Sequence, residues 1–88
     1  MKTIELSNGY KVELEENTMD NMELVDALAE AADDDPLAVS KICKLILGEE
    51  KRKGLYDAIR KPDGRVPVAE VSNCIKEIFD SFGDQGKN

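Results

Sequence analysis

Between Pro36 and Gly48 the apolar residues Ala38, Val39, Ile42, Cys43, Leu45, Ile46 and Leu47 recur at helical spacing and, at 3.6 residues per turn, cover about 200° of the helix surface. Only Ser40, Lys41 and Lys44 are left clearly facing water. A helix of this kind has to be wrapped on more than one side. It is therefore either the centre of the fold or part of a contact between subunits. Its limits are written locally: Asp35 supplies a capping carboxylate, Pro36 sits in the first turn where its missing N–H costs nothing, and Gly48 provides a left-handed stop. In 88 residues there is room for one such centre, because a chain of this size buries only roughly 60–65% of its unfolded surface.

What wraps the central helix can be read on either side of it. Residues 3–14 alternate apolar and polar about Ser7-Asn8-Gly9, the signature of a β-hairpin. A two-residue turn would set Leu6 opposite Lys11 and split the apolar residues between two faces. A three-residue loop with a left-handed Gly9 in a bulge pairs Leu6 with Tyr10 and Ile4 with Val12 on one face, and is the expected register. A hairpin alone is marginal in water, so that face packs on helices. The first helix is expected over about 20–32, capped by Asp20 with Glu23 three residues on, burying Met22, Val25, Leu28, Ala29 and Ala32, and stopped by Asp33-Asp34-Asp35.

After Gly48 a third helix, about 49–60, carries a thin stripe of Leu55, Ala58 and Ile59. Gly54 weakens it by roughly 1 kcal/mol relative to Ala, so it should be the least stable. Pro62-Asp63-Gly64 forms a tight turn. Pro67 opens a fourth helix, about 67–82, with Val68, Val71, Ile75, Ile78, Phe79 and Phe82 on one side and Gly83 as its stop. The reading is an α+β single domain over residues 1–83, an N-terminal hairpin packed on a small bundle of about four helices, with 84–88 as a flexible tail.

Composition narrows the function. Four aromatic residues, no Trp and a net charge of −7 leave little to stack on bases and oppose phosphate, so no nucleic-acid partner is expected. No apolar run approaches the roughly 20 residues of a membrane span, and the N-terminus lacks a signal-peptide core, so the expected location is the cytoplasm. With no His and no nucleophile motif around any Ser or Cys, no enzyme is expected, and no catalytic or cofactor-binding residue is assigned. Asp33-Asp34-Asp35 lacks the alternating ligands, central Gly and closing Glu of a calcium loop, so no metal is assigned either. Cys43 and Cys74 lie on separate helices without metal-ligand spacing. They read as two buried, reduced thiols, with a disulfide or redox switch as the alternative.

Charge is unevenly placed. Residues 1–40 carry Lys2 and Lys11 against eleven acids, whereas residues 41–66 carry eight cations against four acids. One account is solvation, with Lys51, Arg52 and Lys53 keeping the third helix in water. The other is head-to-tail association, the acidic first helix of one copy meeting the basic stretch of the next to give a homo-oligomer.

Leu47-Gly48-Glu49, the loop Asp63-Gly64-Arg65-Val66-Pro67 and the helix Ile75 to Phe79, with a compatible Leu6-Ser7-Asn8-Gly9, resemble the short tail assembly chaperones of long-tailed bacteriophages and prophages of Gram-positive bacteria. Departures are Lys51-Arg52-Lys53-Gly54, where such chains tend to carry a Gln and better helix formers, and Pro62, where they tend to carry an acid. The resemblance implies a non-enzymatic virion-assembly protein in the bacterial host cytoplasm. Such a protein coats the helical tape-measure protein, keeps it in solution, and recruits tail tube subunits through a longer frameshifted form. If Gly86-Lys87-Asn88 were encoded GGA-AAA-AAC, the heptamer A-AAA-AAC would permit that frameshift. Val39, Leu47 and Tyr56, at the margins of their apolar arcs, are the expected protein-contact residues, joined by Lys51, Arg52 and Lys53. A different reading of the acidity is an inhibitor or DNA mimic that binds a host factor.

Overall fold

The 36–47 segment is a helix whose buried side is Ala38, Ile42, Cys43, Ile46 and Leu47. The computed structural model describes residues 1–30 and 35–86. Its elements are β1 (Lys2–Glu5), β2 (Lys11–Leu14), α1 (Met22–Glu30), α2 (Pro36–Ile59) and α3 (Val68–Gly86). The class is α+β, a hairpin with three helices. β2, α1 and α3 each contact α2, which places it at the centre of the fold. Asp35 caps α2 by accepting a 3.0 Å hydrogen bond from the Leu37 amide through Oδ1, and Pro36 occupies the first turn.

The segments expected at 36–47 and 49–60 are both helical and meet directly at Gly48, so α2 is two helical arms joined across a kink. Gly48 inside it has φ 71° and ψ −171°. Its φ is positive, as a stop signal requires, but its ψ is extended, not left-handed helical. The chain therefore bends there and re-enters the helix at Glu49 without a linker. The two arms of α2 bury Ala38, Ile42, Cys43, Ile46 and Leu47, then Leu55 and Ile59.

The hairpin has the three-residue loop. Ile4 pairs with Val12, and the Leu6 amide donates to the Tyr10 carbonyl at 2.9 Å, with Gly9 at φ 91°. Ile4, Leu6, Val12 and Leu14 are all buried. The same five-residue design recurs between α2 and α3. At 6–10 the Gly9 amide donates to Leu6 O and the Tyr10 amide to Asn8 Oδ1; at 61–65 the Gly64 amide donates to Lys61 O and the Arg65 amide to Asp63 Oδ1. In each, an Asn or Asp accepts from the second residue on, and a glycine takes the positive φ that closes the loop.

Several expectations are corrected. The α1 cap is Asn21, not Asp20: its Oδ1 accepts from the Glu23 amide at 3.0 Å. The buried side of α1 is Leu24 and Ala27, whereas Met22, Val25, Leu28 and Ala29 face outward; Ala32, Asp33 and Asp34 lie outside the described residues. On the second arm of α2, Ala58 is exposed. Gly83 does not end α3, which continues to Gly86, so 84–86 are helical where a tail was expected; 87–88 lie outside the described residues. Val68 is exposed, while Val71, Cys74, Ile75 and Ile78 line the core.

Gly54 has a positive role. A Cβ there would overlap the Tyr10 hydroxyl and come within 3.2 Å of the ring carbon bearing it. Tyr10 Oη donates to Lys51 O at 3.4 Å, and Lys51 Nζ donates to Glu13 O, so the hairpin is seated on the second arm of α2 through a gap that only glycine leaves. The loop end of the hairpin is held by α3: both the amide and the hydroxyl of Ser7 donate to Glu77, each at 2.8 Å.

Candidate protein-docking surface

Helix α1 is nine residues long and apolar on two sides. Leu24 and Ala27 face α2, and Met22, Val25 and Leu28, three residues apart, form a second stripe that is exposed among the described residues. Met22 is 69% exposed and Val25 48%. Three acids, Glu23, Asp26 and Glu30, stand on α1 with no basic residue, and Glu30 lies 3.9 Å from Lys41 of α2.

From Leu28 the apolar surface continues into a groove of about 180 Å³ between α2 and α3, walled by Val39, Ile42, Ile75 and Phe79, with Ser72 and Lys76 at its rim. Val39 also borders a second depression of about 170 Å³, lined by Pro36, Tyr56, Val66, Val68 and Val71. Leu37 at the start of α2 is 80% exposed. The result is an open apolar band across α1, the first arm of α2 and the outer side of α3.

Of the residues proposed from sequence as contacts, Val39 lies at the junction of the two depressions and Tyr56 lines one of them. Leu47 is 5% exposed and belongs to the core. Lys51 is turned to the backbone of β2. Arg52 stacks over Tyr56, its guanidinium 5.6 Å from the ring centre, so it stiffens the edge of the depression. Lys53 points to solvent and lies 3.8 Å from Glu49. The basic stretch is thus largely engaged within its own chain.

Beneath this band, Cys43 is buried. Burial is the largest influence and pushes the thiol up from 9.0 to about 11, against the smaller opposing effects of the neighbouring Tyr56 and Arg52. Burial also raises Tyr56, with Cys43 adding to it, and raises Cys74, where Glu77 and Glu70 contribute. Both cysteines are buried free thiols, and burial favours their protonated form. Asp63 is held below its usual value first by the Arg65 amide and then by the Arg65 side chain, which fixes the 61–65 loop.

A polar cleft of about 400 Å³ lies between the hairpin loop, the end of α2 and α3, but its groups are turned on one another: Ser7 to Glu77, and Lys61 to Glu70 at 2.9 Å. Among the described residues no group of three or more His, Cys, Asp or Glu side chains is placed to hold a metal ion, and no helix is long and apolar enough to cross a membrane.

The outward stripe of α1 was missed by sequence reasoning. A signal for it was present: α1 carries two overlapping apolar periodicities, Leu24/Ala27 and Met22/Val25/Leu28, and a short helix can turn only one of them inward. Compared with protein-family models, curated proteins and solved structures, the chain matches none.

Proposed function

We propose that this protein is a non-enzymatic tail assembly chaperone that acts in the cytoplasm of a bacterial host. It binds the apolar face of a long helical client, the phage tape-measure protein, and keeps it in solution until tube subunits arrive through a longer frameshifted form. The observation that carries the reading is the uncovered stripe Met22–Val25–Leu28, continuous through Leu28 with the α2–α3 groove. A helical client exposes apolar stripes that aggregate unless covered, and a small domain with net charge −7 covers them while adding repulsion between coated clients. The particular client comes from the resemblance at Leu47-Gly48-Glu49 and Asp63-Gly64-Arg65-Val66-Pro67.

The test is co-expression with the tape-measure protein of the same gene cluster. The client is expected in the soluble fraction with the wild-type chain and in the pellet with a Met22→Ser, Val25→Ser double variant. A client equally soluble with both would remove the α1 stripe from the reading, and one insoluble with both would remove the function.

A further inference from the structure

A hairpin that forms a two-stranded sheet has two free edges, and here they are treated differently. Bonded and non-bonded pairs alternate along an antiparallel ladder. Because Leu6 and Tyr10 are a bonded pair, so are Ile4 with Val12 and Lys2 with Leu14, and the N–H and C=O groups of Thr3 and Glu5 point away from β2. On the corresponding outer edge of β2, Glu13 O is occupied by Lys51 Nζ from α2. Thr3 and Glu5 have no such cover: among the described residues their main-chain groups find no partner, and they open onto a cleft of about 350 Å³ whose far wall is Glu77, Asp80 and Ser81 of α3. The carboxylates of Glu5 and Asp80, and that of Glu77, which also accepts from Ser7, therefore surround an unpaired strand edge.

We infer that the outer edge of β1 and the facing side of α3 form a docking site for an extended peptide segment bearing lysine or arginine, which adds to the hairpin as a third strand. Main-chain bonds to Thr3 and Glu5 supply the pairing, and the carboxylates select the charge. The occupant is an extended chain, not a helix, because the unpaired groups are those of a strand. It is basic because the rim of the cleft is acidic. This site is separate from the apolar band on α1 and does not depend on what that band binds.

The experiment uses the whole chain, with amide hydrogen exchange read residue by residue. The probe is a capped peptide of about nine residues that alternates lysine with valine and threonine, long enough to span one strand. At about 1 mM peptide, Thr3 and Glu5 amides are expected to exchange at least about tenfold more slowly, while Ile4, already bonded to β2, changes little. Asp80→Lys, at an exposed position, is expected to weaken binding at least about fivefold, and more so at low salt. Thr3→Pro, which removes one edge-facing N–H and leaves the bonds to β2, is expected to weaken it as well. Absence of protection, or equal binding of a glutamate-for-lysine peptide or of one N-methylated on the pairing amides, overturns the proposal. Protection of Thr3 and Glu5 that grows with protein concentration without peptide also overturns it, since a second copy would then fill the edge.

Discussion

On its hairpin side α2 is sealed: β2 packs on it, Ile4, Leu6, Val12 and Leu14 of the hairpin are all buried, Tyr10 fills the notch at Gly54, and Lys51 closes the edge of β2. On its α1 side the same helix is only half covered, since Leu24 and Ala27 dock while Met22, Val25 and Leu28 remain outside and Val39 sits in an open groove. The difference comes from geometry, not hydrophobicity. A strand pair turns all of its alternate residues one way, so four apolar side chains reach one surface together. A short helix with two apolar stripes must leave one out. In so small a domain an uncovered stripe removes burial from a total stability of several kcal/mol, roughly 0.1 kcal/mol per residue, so it is expected where a partner supplies the cover.

The contrast breaks most visibly in the core. Leu55→Ala, at a position with no exposure, is expected to cost about 3 kcal/mol in urea unfolding, a large part of the total. A loss below about 1 kcal/mol would mean that the sealed side is loosely packed.

Alkaline pH gives the next largest effect. Cys43 is raised from 9.0 to about 11 in the fold, so the unfolded chain loses its thiol proton first. Stability is then complete below pH 9 and falls as pH rises toward 11, by about 2 kcal/mol for this one group. Cys43→Ala should flatten the decline in unfolding free energy over that window, and an identical decline in both proteins would assign it to other groups.

Gly54→Ala sharpens the account of the seal. Helix propensity alone favours the change by about 1 kcal/mol, so a net destabilisation of about that size is the expected sign of overlap with Tyr10. In a Tyr10→Phe background most of the cost should disappear, because the overlapping hydroxyl is gone and only the ring-carbon contact at 3.2 Å remains. Additive effects in the double variant would show that the notch does not matter.

On the open side, Met22→Ser and Val25→Ser should each shift the unfolding midpoint by less than about 0.5 kcal/mol equivalent. A cost near that of Leu55→Ala would show that the stripe is covered within the chain, and the contrast between the two sides would be lost.

Wherever local chemistry sufficed, the amino-acid order determined the structure. Ser7-Asn8-Gly9 set the hairpin register, Asp35-Pro36 set the start of α2, and Pro62-Asp63-Gly64 set a turn of the same design. The 200° arc of 36–47 made that helix central, because no single neighbour can cover such an arc. Tertiary packing decided what the order left open. Gly54 reads as a weak point until Tyr10 is placed against it, Leu47 reads as marginal until the core closes over it, and the two stripes of α1 compete on equal terms until α2 selects Leu24 and Ala27. Residue spacing defines the faces of a helix, but which face is buried depends on elements distant in the chain. The docking surface is therefore what remains after that choice.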